Sequence, residues 1–312
     1  MRTSVLTPEE ARPAARHSTD ASSLARRLPR LALEARRVSA SARHGIHGRR
    51  RAGAGETFWQ YRPYADGESS ARVDWRRSAR DDRTLFVRER EWEAAHTVLL
   101  WADRSASMGF QSSLAPVPKV DRALVIALAL SDMLVRGGER VGLLGLGAPS
   151  ASRAIVERLC EALAADRTGH EADLPDARPL PPLTEAVLVG DWLVEPARAA
   201  AAIETLSARG ARGHLVQVLD PVEETFPFTG EAELFDLEAG LRLRVGDAAS
   251  FARDVASRMS AHREALRAAC VRRGWSFAVH RTDRPVGEAA LALAVRVGQA
   301  GAASAPVAAP GS

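Results

Sequence analysis

The feature that most constrains the fold is a series of short, largely apolar runs that are separated by longer helical patterns. Three of these runs, residues 97–102, 186–190 and 214–219, are each followed directly by an aspartate. Runs of this kind are typical of strands that are buried on both faces of a parallel sheet. Their alternation with helical patterns implies crossover connections between parallel strands. The sequence therefore predicts an α/β fold with a doubly wound, mainly parallel sheet.

The chain is predicted to contain one large sheet domain and a basic module that precedes it. Residues 94–299 hold the alternating strands and helices. Residues 21–93 begin with an amphipathic helical pattern, which Pro29 is expected to kink or split. Residues 1–93 carry 20 arginines and 13 acidic residues, whereas the net charge of the whole chain is only +4, so the basic surplus is concentrated in this part. Residues 1–20 and 300–312 are predicted to be disordered.

Cysteine usage and hydropathy indicate a soluble protein of a reducing compartment. The chain has 2 cysteines, Cys160 and Cys270, and both lie in apolar helical patterns without ligand-like neighbours. Two inert core thiols are typical of the cytoplasm. The N-terminus lacks the apolar region of a signal peptide, and no run approaches the ~18 apolar residues of a membrane span. We therefore expect a cytoplasmic protein without a membrane span.

The loop after the first buried strand contains the pattern Asp103-x-Ser105-x-Ser107. It lies just past the carboxyl end of that strand, where open α/β sheets bind ligands. Three oxygen side chains suit Mg²⁺ or Mn²⁺ better than zinc or copper. Asp191 and Asp220 are predicted to end strands at the same edge, and clustered carboxylates need a cation or a raised pKa. The alternative is that Asp103 ends its strand and the serines cap the next helix.

Other chemistries find little support in the sequence. It contains no Gly-x-x-x-x-Gly-Lys-Ser/Thr loop, no Gly-x-Ser-x-Gly elbow and no His-Glu-x-x-His pair. Residues 49–64 combine arginines with aromatic residues, a combination that can bind nucleic acid through phosphate contacts and base stacking. Acidic residues are interleaved with the arginines of this part of the chain, which favours ion pairing and packing between structural units. We therefore expect no nucleic-acid partner.

Two motifs resemble known families. The pattern Asp103-x-Ser105-x-Ser107, with Asp191 after a later strand, resembles the metal-ion-dependent adhesion site of von Willebrand factor A-type domains. The preceding block is similar to the domain of unknown function 58 family, and the similarity extends from about Ala21 to Val297. The residues that carry it are Gly53-x-Gly55-Glu-Thr-Phe58, Arg62-x-Tyr64 and Val73-Asp74-Trp75-Arg76-x-Ser78-Ala79-Arg80.

The resemblance implies a von Willebrand factor A-like, Rossmann-type domain, with residues 21–93 as a family-specific basic module. It implies that Ser105 and Ser107 ligate Mg²⁺ or Mn²⁺ directly, and that Asp103 and Asp191 hold the ion directly or through water. One coordination position would stay open for a carboxylate of a partner protein. Members are typically paired with MoxR-type AAA+ ATPases, as non-enzymatic adaptors in the assembly or maturation of client proteins.

The chain departs from this pattern, and two other hypotheses remain open. The threonine that completes such sites has no counterpart, because Thr168 and Thr184 both lie in a proline-rich segment. One alternative is a Mg²⁺- or Mn²⁺-dependent phosphodiesterase or nuclease that uses three aspartates as a two-metal cluster. Those aspartates would be Asp103, Asp191 and Asp220. The other is a scaffold whose strand-end site binds nothing, with the Arg/Trp block as its partner surface. The candidate partner-binding residues are Arg62, Asp74, Trp75, Arg76 and Arg80.

Overall fold

The structure is a computed structural model, and it forms two compact units. One unit comprises residues 1–49 and 96–312 and is called the sheet unit; residues 50–95 form the strand-pair unit. The structure describes residues 13–16, 19, 21–45, 57–64, 73–80, 84–91, 96–169, 171–228, 230–235 and 242–303.

The described residues contain twelve strands and eight α-helices. The strands are β1 (Pro13–Arg16), β2 (Thr57–Pro63), β3 (Phe86–Glu91), β4 (Thr97–Ala102), β5 (Phe110–Ser112), β6 (Arg140–Leu143), β7 (Leu146–Ser150), β8 (Thr184–Gly190), β9 (Arg212–Leu219), β10 (Ala232–Phe235), β11 (Arg242–Val245) and β12 (Ser276–Arg281). The helices are α1 (Ala21–Gly45), α2 (Trp75–Ser78), α3 (Lys119–Arg136), α4 (Ile155–Ala165), α5 (Pro196–Ser207), α6 (Pro221–Thr225), α7 (Ala248–Arg272) and α8 (Val286–Ala303).

The centre of the sheet unit is a six-stranded sheet with the strand order β12-β9-β8-β4-β6-β7. The first five of these strands are parallel, and β7 pairs antiparallel with β6 at one edge. The prediction of a mixed α/β fold with a mostly parallel central sheet is therefore confirmed. Strand β4 coincides with the predicted run 97–102 because that run is continuously apolar and ends at a charged residue.

Alternating side chains of the sheet enter two separate apolar cores. Val187 and Val189 of β8 pack into a core that also contains the buried side chains of α3, α4 and α8. Ala186 and Leu188 of the same strand pack into a second core with α5 and α7. Burial of each large aliphatic side chain contributes about 1.5–3 kcal/mol, so the two cores fix the register of the strands and the position of their carboxyl ends.

Helix α1 belongs to the sheet unit, which corrects the predicted module of residues 21–93. Its Leu24, Leu28, Leu31 and Ala35 are buried in the first core, and α1 packs against α3, α4 and α8. The apolar face of α1 is satisfied there. The helix also continues through Pro29, where a kink or break was expected. The leucines on either side of this proline hold the two halves on one packed face, which offsets the missing backbone hydrogen bond.

The predicted disordered ends are shorter than expected where the structure describes them. Residues 13–16 form β1, which pairs antiparallel with β5. Helix α8 continues through Ala303, because its alanine-rich end retains high helix propensity. Residues 1–12, 17, 18, 20 and 304–312, which are also predicted to be disordered, lie outside the described part of the chain.

The strand-pair unit contains β2, α2 and β3. Strands β2 and β3 pair antiparallel, and Val73 adds a bridge to Val87 of β3. Asp74 is the N-cap of α2, and its carboxylate accepts a hydrogen bond of 3.0 Å from the backbone N–H of Arg77. The Ser78 hydroxyl accepts one of 2.8 Å from the backbone N–H of Phe86. These bonds fix the short helix to β3.

The structure also bears on the thiols and on membrane insertion. Cys160 and Cys270 are free. Burial raises the pKa of Cys160 to about 11 and that of Cys270 to about 12, so both stay protonated as inert thiols at neutral pH. Within the described ranges, none of the helices is long and apolar enough to cross a bilayer.

Candidate functional site

The loop after β4 begins with a buried, tightly turned aspartate. Asp103 is 1% exposed, and its Oδ1 accepts a hydrogen bond of 2.8 Å from the backbone N–H of Ser105. Ser105 precedes a short 3-10 helix, Ala106–Gly109, but its side chain makes no capping hydrogen bond. Instead its hydroxyl lies 3.2 Å from the hydroxyl of Ser107. The helix-capping alternative therefore does not explain the serine pair.

Asp191 joins this loop from the neighbouring strand. Because β8 is adjacent to β4, Asp191 emerges beside Asp103, and the Ser107 hydroxyl donates to Asp191 Oδ2 at 2.7 Å. Gly190 permits this approach, since a Cβ there would lie 2.8 Å from the Cβ of Asp103. The structure thus brings together all four predicted metal-site residues, Asp103, Ser105, Ser107 and Asp191.

The loop that carries Asp191 is held in an unusual backbone conformation. Trp192 is 1% exposed and has a φ of 55°, a left-handed value that is rare for a bulky residue. Its indole N–H donates to the backbone oxygen of Val216 at 3.2 Å, and Gln217 Nε2 donates to the backbone oxygen of Asp191 at 3.0 Å. Such conformations cost about 1–3 kcal/mol and persist only where the surroundings impose them. The position of the Asp191 carboxylate is therefore fixed by the core.

Asp220 does not share this cluster, which corrects the expectation that three strand-end carboxylates meet. Its Oδ1 accepts hydrogen bonds from the Ser112 hydroxyl at 2.5 Å and from the backbone N–H of Val222 at 3.0 Å. Its Oδ2 accepts one from the backbone N–H of Ser112 at 2.9 Å. Asp220 is the N-cap of α6 and forms a capping box with Glu223. Its carboxylate ties β5 to α6.

The third charged group of the cluster is Lys119, the first residue of α3. Its side chain is 1% exposed, and its ammonium donates to Asp191 Oδ2 at 2.9 Å and to Glu223 Oε1 at 2.6 Å. The other oxygen of Glu223 accepts from the backbone N–H of Asp220 at 2.8 Å. An ammonium at a helix N-terminus opposes the helix dipole, so its place depends on these carboxylates.

The ionisable groups of the cluster shift one another's pKa values. Burial and, next, the Asp191 carboxylate raise the pKa of Asp103 to about 8, so Asp103 is mostly protonated at neutral pH. Burial alone would raise the pKa of Asp191, but the Lys119 ammonium holds it below its usual value. Burial alone would lower the pKa of Lys119, but Asp191 and Glu223 raise it above its usual value. The ionised core of the cluster is therefore Asp191 with Lys119.

The donor set does not fit a divalent cation bound at Asp191, because the Lys119 ammonium takes that position. Asp191 Oδ2 already accepts from Ser107 and Lys119, and its Oδ1 accepts from the backbone N–H of Leu193 at 3.2 Å. Mg²⁺ requires about six oxygen ligands and is repelled by an adjacent ammonium. In the part of the chain that the structure describes, no group of three or more His, Cys, Asp or Glu side chains is arranged to hold a metal. Bound Mg²⁺ or Mn²⁺ stays a prediction, and the geometry favours the Lys119 ammonium as the cation beside Asp191.

A second basic side chain holds the loop of residues 166–169, which contains Thr168. Arg104, which follows Asp103, is 6% exposed and pairs with Asp166. Asp166 Oδ1 accepts from the backbone N–H groups of Thr168 at 3.1 Å and Gly169 at 3.2 Å. A Cβ at Gly169 would overlap the Arg104 guanidinium. Residues 166–169 are thus fixed to the Asp103 loop by an arginine. The Thr168 hydroxyl lies 3.3 Å from Asp166 Oδ1.

The predicted partner-binding residues lie in the strand-pair unit. Trp75 is 61% exposed, and Arg76 and Arg80 are also exposed. Asp74 is the N-cap described above, so its carboxylate has a structural role. Arg62 pairs with Val87 through the backbone of β2, and its side chain lies outside the described part. Trp75 and the two exposed arginines form what we call the Trp75 surface.

The family is decided by a sequence match that spans more than half of the chain. Residues 60–265 match the model of DUF58, a protein family of unknown function. The chain belongs to this family. The matched range of the DUF58 chain includes both the Trp75 surface and the cluster around Asp191.

Two further comparisons say little about function. No curated protein matches the chain. One solved structure is similar to it, that of an aerotolerance-related membrane protein from Bacteroides fragilis with multiple mutations to serine. The identity is 15%, the match covers 65% of this chain and 98% of that chain, and the TM-score is 0.34. At that TM-score the similarity carries no argument about fold or function.

Sequence reasoning missed Lys119, Glu223 and Arg104, although one signal for Lys119 was present. The chain has 43 lysines and arginines, and Lys119 is the single lysine among them. The use of arginine elsewhere is typical of a compositional bias, and Lys119 is the one exception to it. Glu223 gave a weaker signal, because the pattern Asp220-Pro-x-Glu223 is typical of a helix start and explains the residue without a site.

Proposed function

We propose that the chain is a non-enzymatic protein-interaction module, an adaptor for a MoxR-type AAA+ ATPase in the assembly or maturation of client proteins. We propose further that its sheet unit is a von Willebrand factor A-like domain. The observation that carries the adaptor proposal is the Trp75 surface, which presents Trp75 and Arg76 on a capped helix and Arg80 just after its end. Tryptophan and arginine dominate the binding energy of protein interfaces.

The Trp75 surface is suited to docking because its central side chain is exposed and lies on a helix that is held in place. A tryptophan side chain buries about 150–250 Å² in an interface. Trp75 is 61% exposed, so a partner that covered it would gain about 2–4 kcal/mol at about 25 cal/mol per Å². The cap at Asp74 and the bond from Phe86 to Ser78 hold α2 in place, which lowers the entropic cost of binding.

The strand order supports the von Willebrand factor A-like assignment. β4 is the first strand of the six-stranded sheet in chain order. The next strands, β6 and β7, lie on one side of it, and the later strands, β8, β9 and β12, lie on the other, so the direction of strand addition reverses beside β4. Open α/β sheets bind ligands at such a reversal, outside the carboxyl ends of the strands. Asp103 follows β4 and Asp191 follows β8, on the two sides of this point. The Asp103-x-Ser105-x-Ser107 motif lies where that domain type carries it.

The arrangement of the aspartates argues against the phosphodiesterase alternative. A two-metal mechanism requires carboxylates that face shared ions about 3.5–4 Å apart. Asp220 instead directs both oxygens to Ser112 and to its own helix. Asp191 is engaged by Lys119 and Ser107. These contacts favour a binding protein over a metal-dependent nuclease.

Binding of the full-length chain to the MoxR-type ATPase of the same organism tests the proposal. We expect Trp75→Ala to weaken binding by about 30- to 800-fold, which corresponds to the 2–4 kcal/mol above. Arg76→Glu is expected to weaken binding as well, and to change its salt dependence. Isothermal calorimetry with the ATPase in its ATP-bound and ADP-bound states is the assay.

Two variants of the sheet unit provide matched controls. Val271 is 66% exposed and Arg209 is exposed, so Val271→Ala truncates an exposed apolar side chain elsewhere and Arg209→Glu reverses an exposed basic charge elsewhere. Both controls should bind the ATPase with the wild-type affinity. If all four variants bind like the wild type, the Trp75 surface is not the docking site. If the wild type does not bind any MoxR-type ATPase of the organism, the adaptor proposal itself is wrong.

A further inference from the structure

We infer that the side chain of Lys119 is the resident cation of the strand-end cluster, and that it replaces a divalent metal ion there. The motif Asp103-x-Ser105-x-Ser107 with Asp191 predicts a metal ion that would join two loops. In this chain the joining is done by an ammonium group that belongs to α3. This role of Lys119 does not depend on the identity of any partner.

The geometry shows a built site for one ammonium. Lys119 Nζ lies 2.9 Å from Asp191 Oδ2 and 2.6 Å from Glu223 Oε1, and the side chain is 1% exposed. Asp191 Oδ2 also accepts from Ser107, and Glu223 also accepts from the backbone of Asp220. The ammonium therefore connects the loops after β4, β8 and β9 through α3. A divalent ion would have to displace it from Asp191.

The residue type supports this role independently of the distances. Of the 43 lysine and arginine side chains of the chain, all except Lys119 are arginines. A lysine ammonium is a compact point charge with three donors, whereas the guanidinium of arginine is a wide planar fork. A space enclosed by two carboxylates suits the compact group. The single lysine of the chain thus occupies the position where a small spherical cation would lie.

Arg104 is a second basic side chain of the protein that joins loops at this edge of the sheet, and it holds the loop of residues 166–169. Its ion pair with Asp166 joins residues 166–169 to the Asp103 loop. The overlap that a Cβ at Gly169 would make with this guanidinium shows how closely the two loops approach. The four loops at this edge of the sheet are therefore connected by two basic side chains of the protein. Their arrangement does not require added metal.

Electron paramagnetic resonance of Mn²⁺ in the presence of the purified full-length chain tests the inference. We expect the wild type to leave the signal of free Mn²⁺ unchanged, which corresponds to a dissociation constant weaker than about 1 mM, the weakest class of natural Ca²⁺ sites. The melting temperature of the wild type should be the same in excess EDTA and in Mn²⁺. Lys119→Gln should lower the melting temperature, and Mn²⁺ or the additional change Asp191→Asn should restore part of it.

Two results would overturn the inference. One is binding of Mn²⁺ by the wild type with a dissociation constant below about 1 mM, which is tighter than the weakest natural Ca²⁺ sites. The other is a Lys119→Gln variant that melts at the wild-type temperature. The Mn²⁺ titration of the wild type decides the matter even where Lys119→Gln does not fold. Arg178→Gln is the control, because its pair with Asp176 is exposed at 76% and 66% and its loss should change neither readout.

Discussion

Replacement of Lys119 by methionine is predicted to be among the most destabilising single changes in the sheet unit. Methionine keeps most of the volume but removes the ammonium, so Asp191 and Glu223 lose their shared partner. Removing one member of a buried ion pair costs about 3–5 kcal/mol. Asp191 is 3% exposed and the Glu223 side chain 18%, so the cost should lie in that range. It is a large fraction of the 5–15 kcal/mol that stabilises a typical domain.

The assay is urea unfolding followed by circular dichroism, with the free energy of unfolding extrapolated to water. The triple variant Lys119→Met/Asp191→Asn/Glu223→Gln removes the ammonium and both carboxylates. It should recover at least half of the loss, because uncharged groups are less costly to bury than unpaired charges. Arg178→Met, which breaks an exposed pair, should leave the free energy of unfolding close to that of the wild type.

Either of two results would refute this reasoning. The first is a loss below about 1 kcal/mol for Lys119→Met, the size expected of an exposed pair. The second is a triple variant that is no more stable than Lys119→Met, because the cost would then not come from the unpaired carboxylates. A change in the slope of the urea transition would indicate that the unfolded or folded state itself had changed.

Two further predictions concern single residues of the sheet unit. Burial, and next the Arg122 guanidinium, lower the pKa of His280 from 6.5 to about 4, so the folded protein keeps His280 neutral while the unfolded chain binds a proton. Stability should therefore fall as the pH drops from 6.5 to 4, and His280→Phe should remove up to about 3 kcal/mol of that fall in unfolding measured at both pH values. Gly190→Ala should cost about 1–3 kcal/mol in urea unfolding because its Cβ would meet Asp103, whereas Gly287→Ala has open space and should cost much less.

The fold class was predictable because its strands are buried on both faces. The run of residues 186–190, for example, is apolar throughout and buried on both faces, which distinguishes it from an amphipathic helix or an exposed strand. The position of α1 was not predictable in the same way. Its apolar stripe at Leu24, Leu28 and Leu31 indicates a packed face but does not name the surface that covers it. Only the three-dimensional structure assigns that face to α3, α4 and α8.

The candidate site was predictable only in part, for a related reason. Asp103, Ser105 and Ser107 lie within five residues, and a strand-end aspartate at 191 follows from the parallel sheet. Lys119 and Glu223 reach the cluster from the starts of two helices, and helix starts attract charged residues for capping alone. Their side chains meet only because α3 and α6 begin at the same edge of the sheet. Asp220 illustrates the converse, since its capping role takes it away from the cluster.

If the chain supplies its own cation at the strand-end cluster, Lys119 should occupy this position even when Mn²⁺ is present. A crystal structure from crystals grown in Mn²⁺, with anomalous data collected at the manganese edge, tests it most directly. We expect density for the Lys119 ammonium between Asp191 and Glu223, and no anomalous peak among Asp103, Ser105, Ser107 and Asp191. An anomalous peak bound to those four residues, with Lys119 turned away from Asp191, would contradict it.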